Sequence, residues 1–183
     1  MSRNQKVQLA VPSEMHLYDA LFGQKISGRA PCDNIVTMRR WLTITAVDPA
    51  KDNLGIEVVA SNERFEGSAW IYAGIEELSE FAAKMNGFPR SCDDCRTHEF
   101  GPRGPAFAGG FVSITVRCLD HASHLAIEVL LKDDTVRYSP PHAAFSFQTE
   151  TAALDHFVEN LRKIERDRCG SATLNGWCGV SGH

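Results

Sequence analysis

Several features that would announce a function are missing from this sequence. No Gly-x-x-x-x-Gly-Lys loop occurs in its 183 residues. The Gly-rich run GPRGPAFAGG at 101–110 does not lead from a strand into a helix, so it reads as a flexible connector and not as a phosphate cradle. Positive charge is in deficit. Lys and Arg number 19 against 23 Asp and Glu, for a net charge of -4. Nucleic-acid binding wants the opposite footprint. No apolar run approaches the ~18 residues of a membrane helix. The opening stretch, MSRNQKVQLAVPSEMHLYDALFG, lacks an apolar core of signal-peptide length. These absences predict a cytoplasmic protein that binds neither nucleic acid nor membrane. Six cysteines in that compartment read as free thiols and not as a disulfide framework.

What is present has the composition of a globular protein: 43% hydrophobic and 23% charged residues. The length suits a single domain with its own core. Residues 1–36 are poorly patterned and read as an N-terminal extension, with one short helix over Ser13–Leu21. From 37 onward periodicity is clear. TMRRWLTITAV at 37–47, LGIEVVA at 54–60 and RFEGSAWIY at 64–72 alternate as strands do. GIEELSEFAAKMNGFP follows, with Ile75, Leu78, Phe81, Ala82 and Met85 on one helical face. Gly87 and Pro89 stop that helix. A strand is expected to open at Glu99. GFVSITVRCL at 110–119, HLAIEVLL at 124–131 and AAFSFQ at 143–148 are further strands. Thr151–Asp167 is a second helix with Leu154, Phe157, Val158, Leu161 and Ile164 on one face, capped by Thr149 or Thr151. The Gly/Ser-rich segment 169–183 reads as a flexible tail carrying Trp177.

The chain repeats itself. LGIEVVA at 54–60 matches LAIEVLL at 125–131, and TIT at 43–45 matches SIT at 113–115. Leu78-x-x-Phe81-Ala82-x-x-Met85 returns as Leu154-x-x-Phe157-Val158-x-x-Leu161. The expected fold is therefore α+β. It is a single domain over 37–168, an antiparallel sheet built from two similar βββα halves (37–90 and 110–168) with both helices packed on it. Either half alone would leave much apolar surface wet.

Residues with chemical potential are scattered. Cys92-Asp-Asp-Cys95 has the spacing of a zinc knuckle. His121 and His124 would complete a tetrahedral set, although His-x2-His is tighter than usual and no second Cys-x2-Cys exists. A redox role fits poorly: the pair follows a helix instead of opening one, and the intervening aspartates disfavour a thiolate. Glu57 and Glu128 hold matching places in matched strands, the arrangement expected of outward charges on a one-sided sheet. Arg39-Arg40-Trp41 pairs basic charge with an aromatic ring. With net negative charge around it, the motif reads as an Arg stem over Trp41.

Trp70, Glu77-Leu78, Phe81-Ala82, Gly87-Phe88-Pro89, Phe100-Gly101, LAIEV at 125–129 and Ala153-Leu154-x-x-Phe157 occur in an order that resembles a bacterial family of small α+β proteins. Some of its members are labelled WapI-like immunity proteins. The resemblance spans about residues 37–166 and rests mostly on core positions. The cysteine pair at 92 and 95 departs from the family pattern. What the resemblance implies is a non-catalytic module, an immunity- or antitoxin-like inhibitor that occludes a toxin. It carries no catalytic residues and implies no cofactor. Mild acidity suits a basic protein partner. Asp93, Asp94, Glu99 and Trp177 are the expected contact residues, because all fall on expected loops. The alternative is a zinc-stabilised domain that uses Cys92, Cys95, His121 and His124.

Overall fold

The computed structural model describes residues 40–49, 53–74, 76–101, 109–133 and 141–177. The expected extension at 1–36, its helix at Ser13–Leu21, most of the 101–110 connector and the end of the tail from 178 lie outside the described residues. The fold is α+β, with two similar βββα halves. Its strands divide between two antiparallel four-stranded sheets.

In the first half, β1 (Arg40–Asp48), β2 (Asn53–Asn62) and β3 (Glu66–Gly74) precede helix α1 (Glu77–Met85). Strand β4 (Cys95–Phe100) follows. In the second half, β5 (Phe111–Cys118), β6 (His124–Lys132) and β7 (His142–Glu150) precede α2 (Thr151–Asp167) and β8 (Ser171–Asn175). One sheet runs β3-β2-β1-β8 and the other β4-β5-β6-β7. Each half therefore sends its last strand into the other half's sheet: β4 pairs with β5, and β8 pairs with β1. The register matches across the repeat. Thr45 faces Glu57 and Ile44 faces Val58, as Thr115 faces Glu128 and Ile114 faces Val129.

Alternation decides which face is dry. Leu42 and Ile44 in β1, Ile56 and Val58 in β2, Ile114 and Val116 in β5, and Ile127 and Val129 in β6 are buried. Glu57 and Glu128 are exposed, as a one-sided sheet requires. The helices add the faces that their periodicity predicts: Leu78, Phe81, Ala82 and Met85 in α1, and Leu154, Phe157, Val158, Leu161 and Ile164 in α2. Ile75, expected on the α1 face, lies outside the described residues. The helices pack against each other, with the Phe81 and Phe157 rings 6.2 Å apart, edge to face. At the seam of the sheets the Gly110 N–H donates to Trp70 O at 2.6 Å. A Cβ at Gly67 would fall 2.8 Å from that of Ala143, so the close approach there needs glycine.

Three local expectations are corrected. Segment 169–183 is not a loose tail from its start. SATLN forms β8, with Ala172 and Leu174 buried, and the domain extends past 168. Arg168 at φ 53 and Gly170 at φ 99 turn the chain back toward β1. Strand β4 begins at Cys95 instead of Glu99, its inward pattern disguised by the polar Arg96 and His98. Neither Thr149 nor Thr151 caps α2. The Thr149 hydroxyl donates to Asn175 O at 2.7 Å and that of Thr151 to Ser123 O at 3.3 Å, so both tie other segments to the helix entrance.

Candidate partner-binding surface

The turn between β5 and β6 organises the most distinctive surface. The Asp120 carboxylate accepts the Ala122 N–H at 2.8 Å and the His124 N–H at 3.3 Å, closing the turn. Its other oxygen lies 2.6 Å from His124 Nδ1. The His124 contact, first among several hydrogen bonds, pulls the Asp120 carboxyl below its usual range. The His124 ring is thereby fixed, and it stacks on Trp177 with centroids 5.0 Å apart.

Trp177 is held from both sheets. Its N–H donates to Gln148 O in β7 at 2.7 Å, and the preceding Gly176 N–H donates to Arg40 O in β1 at 2.6 Å. A Cβ on Gly176 would sit 2.5 Å from the Arg40 Cβ, so only glycine lets the chain pass here. Arg40 is itself anchored, with Nε 2.8 Å from Glu63 Oε1. It does not stand as a free stacking cation. The indole remains 40% exposed and Leu119 43%. An open groove of about 560 Å³ begins alongside, lined by Arg40, Asn62, Glu63, Arg64, Leu119 and Gln148 among others.

The 90–96 segment is built differently. Asp94 accepts the Arg90 N–H at 2.8 Å and pairs with Arg96 at 2.7 Å. Arg96 also donates to Lys84 O and Asn86 O at the end of α1 and covers the Phe88 ring at 5.0 Å. The Arg96 hydrogen bond holds the Asp94 carboxyl below its ordinary value. Asp94 is thus a tie between α1 and β4, not the free contact group expected. Glu99 lies within β4, half-buried and engaged, so it is not on a loop. Asp93 is exposed on its turn and Trp177 is exposed on a rigid mount.

The four expected zinc ligands do not converge. Cys92 Sγ meets His121 Nδ1 at 3.0 Å. His124 is committed to Asp120 and Trp177, and Cys95 points outward at the start of β4. Among the described residues no three His, Cys, Asp or Glu side chains are placed to hold a metal. Glu57 and Glu128 stand in different sheets, and Arg117 lies 3.5 Å from Glu128. They are not a carboxylate pair at one site.

The sequence reading missed Asp120, Leu119 and Arg40 as parts of this surface. Asp120-x-x-x-His124 was a readable signal, since a tight turn brings such a pair together. The Arg40 contact crosses the whole chain and leaves no local trace. No helix among the described residues is long and apolar enough to cross a membrane. No family model, curated protein or solved structure matches the chain, so the reading of this surface rests on its geometry.

Proposed function

We propose that the chain is a non-catalytic protein-binding module, an immunity- or antitoxin-like inhibitor that occludes a basic toxin in the cytoplasm. Trp177 carries this reading, as an exposed indole on a backbone bonded to both sheets. Tryptophan is enriched among interface hot spots. With 40% of the residue still exposed, a partner can cover up to about 100 Å² more of it. Because the ring is already positioned by His124, little ordering cost opposes binding. Leu119 beside the groove extends the apolar footprint. The net charge of -4 and the exposed Asp93 favour a basic partner and speed encounter. The core-position resemblance to WapI-like immunity proteins points the same way. Inhibition in this account is steric and asks no bond chemistry of the chain.

The test is co-expression of the tagged protein with the product of the neighbouring gene, followed by size-exclusion of the eluate. A stoichiometric complex that Trp177→Ala dissociates supports the proposal. A complex indifferent to Trp177→Ala, or no complex, refutes it.

A further inference from the structure

By spacing, the partner of Cys92 is Cys95. The fold supplies a different one. Cys95 opens β4 opposite Arg117, with its side chain exposed. Cys92 is half-buried against the core, its sulfur on His121. Cys118, the last residue of β5, is buried, with Sγ 3.2 Å from Asp120 O and its N–H bonded to Asp94 O at 3.0 Å. The two sulfurs therefore rest on adjacent residues of one turn, Asp120 and His121. The main chain at Cys118 is tied directly to the turn that carries Cys92. Cys118 is also among the groups acting on the Cys92 thiol, which burial and these neighbours push above its ordinary range. Both thiols are free.

We propose that Cys92 and Cys118 form an oxidisable dithiol, converted to an internal disulfide by low-molecular-weight disulfides of the glutathione class. Cys92, the more accessible, gives its proton to His121 Nδ1 and attacks the small disulfide. One small thiol leaves, and a mixed disulfide remains on Cys92. Cys118 then attacks the Cys92 sulfur and expels the second small thiol, which carries away the proton that Cys118 gives up. Two protein thiols are oxidised to one disulfide as one small disulfide is reduced to two thiols. The new bond locks the 91–94 turn to the end of β5, directly before the turn that holds His124 against Trp177. The inference does not rest on the protein-partner reading.

The experiment uses the full-length reduced protein, equilibrated with oxidised glutathione. Remaining thiols are then alkylated in denaturant, and the digest is mapped by mass spectrometry. The expected product is a Cys92–Cys118 linked peptide two hydrogens lighter than the reduced pair, with Cys95 alkylated. Cys95→Ser, at an exposed position, should form the same bond at the wild-type rate. Cys118→Ser should stop at a stable glutathione adduct on Cys92. A Cys92–Cys95 bond overturns the proposal. So does a persistent glutathione adduct on Cys92 in the wild type, or full alkylation of both Cys92 and Cys118. The wild-type and Cys95→Ser maps decide the question even if Cys118→Ser does not fold.

Discussion

His124 and Trp177 form one stacked unit, their ring planes 27° apart, and the Asp120 carboxylate fixes that unit from behind. The stack joins the β5–β6 turn to the segment just past β8, the strand that the same repeat sends into the opposite sheet. It should therefore fail locally and not globally. Asp120→Ala removes the anchor of the imidazole and both turn-closing contacts. The expected result is a shifted, broadened Trp177 indole resonance with the α2 amides unchanged. Loss of the α2 signals as well would show that the turn supports the whole domain.

His98 makes a second prediction, about pH. Its ring is buried between Phe81 and Phe100, and its Nε2 has no hydrogen-bond partner among the described residues. Burial first, then the Lys84 charge, pushes its pKa from 6.5 down to about 4, against a smaller opposing pull from Glu99. Between those values the unfolded chain binds the proton more readily. Stability is thus fully present above pH 6.5 and is lost as pH falls toward 4. The loss amounts to about 3 kcal/mol at most. His98→Phe should flatten this acid limb and raise stability by about 1 kcal/mol, because no buried nitrogen is left unpaired. Urea melts across pH 4 to 7 measure both. An unchanged acid limb would mean that another group titrates there.

The exchanged strand makes a third. Leu174 is 1% exposed and sits on β8, which covers the β1 edge. Leu174→Ala should cost about 2–5 kcal/mol. Ending the chain after Asp167 should do worse, because it bares an edge of unpaired backbone groups and invites aggregation. If a truncated chain kept the full-length melting temperature, β8 would not be part of the cooperative unit.

Asp94 makes a fourth. Its carboxyl is held low by Arg96 and the Arg90 N–H, so its stabilisation is present at neutral pH and lost as pH falls through its lowered pKa. Asp94→Ala should lower the melting temperature at pH 7 and leave any partner binding intact. Reduced binding with an unchanged melting temperature would instead make Asp94 a contact residue.

How much of this was legible in the sequence depended on whether the signal was local. Alternation in LGIEVVA and LAIEVLL, and the 3.6-residue rhythm of both helices, encode one dry face each, so the elements and the duplication could be read directly. The exchange of β4 and β8 could not. Pairing partners are set by which edge is open once the halves meet, and SATLN is too short to stand out from a Gly/Ser-rich stretch. The cysteine pair misled for a related reason. Spacing along the chain joined Cys92 to Cys95, while the end of a strand more than twenty residues on brought Cys118 to it. The sequence marks Trp177 as an expected contact residue and the structure leaves it exposed, but its mount rests on Arg40 and Gln148, which no periodicity links to it.

The most direct measurement is the affinity of the purified wild type and of Trp177→Ala for the product of the neighbouring gene, by titration calorimetry, with both proteins first matched in melting temperature. The account predicts a tight one-to-one complex that Trp177→Ala weakens at least about 30-fold, as loss of a hot spot worth 2 kcal/mol or more requires. Equal affinity in the two proteins, or no heat of binding from the wild type, would contradict it.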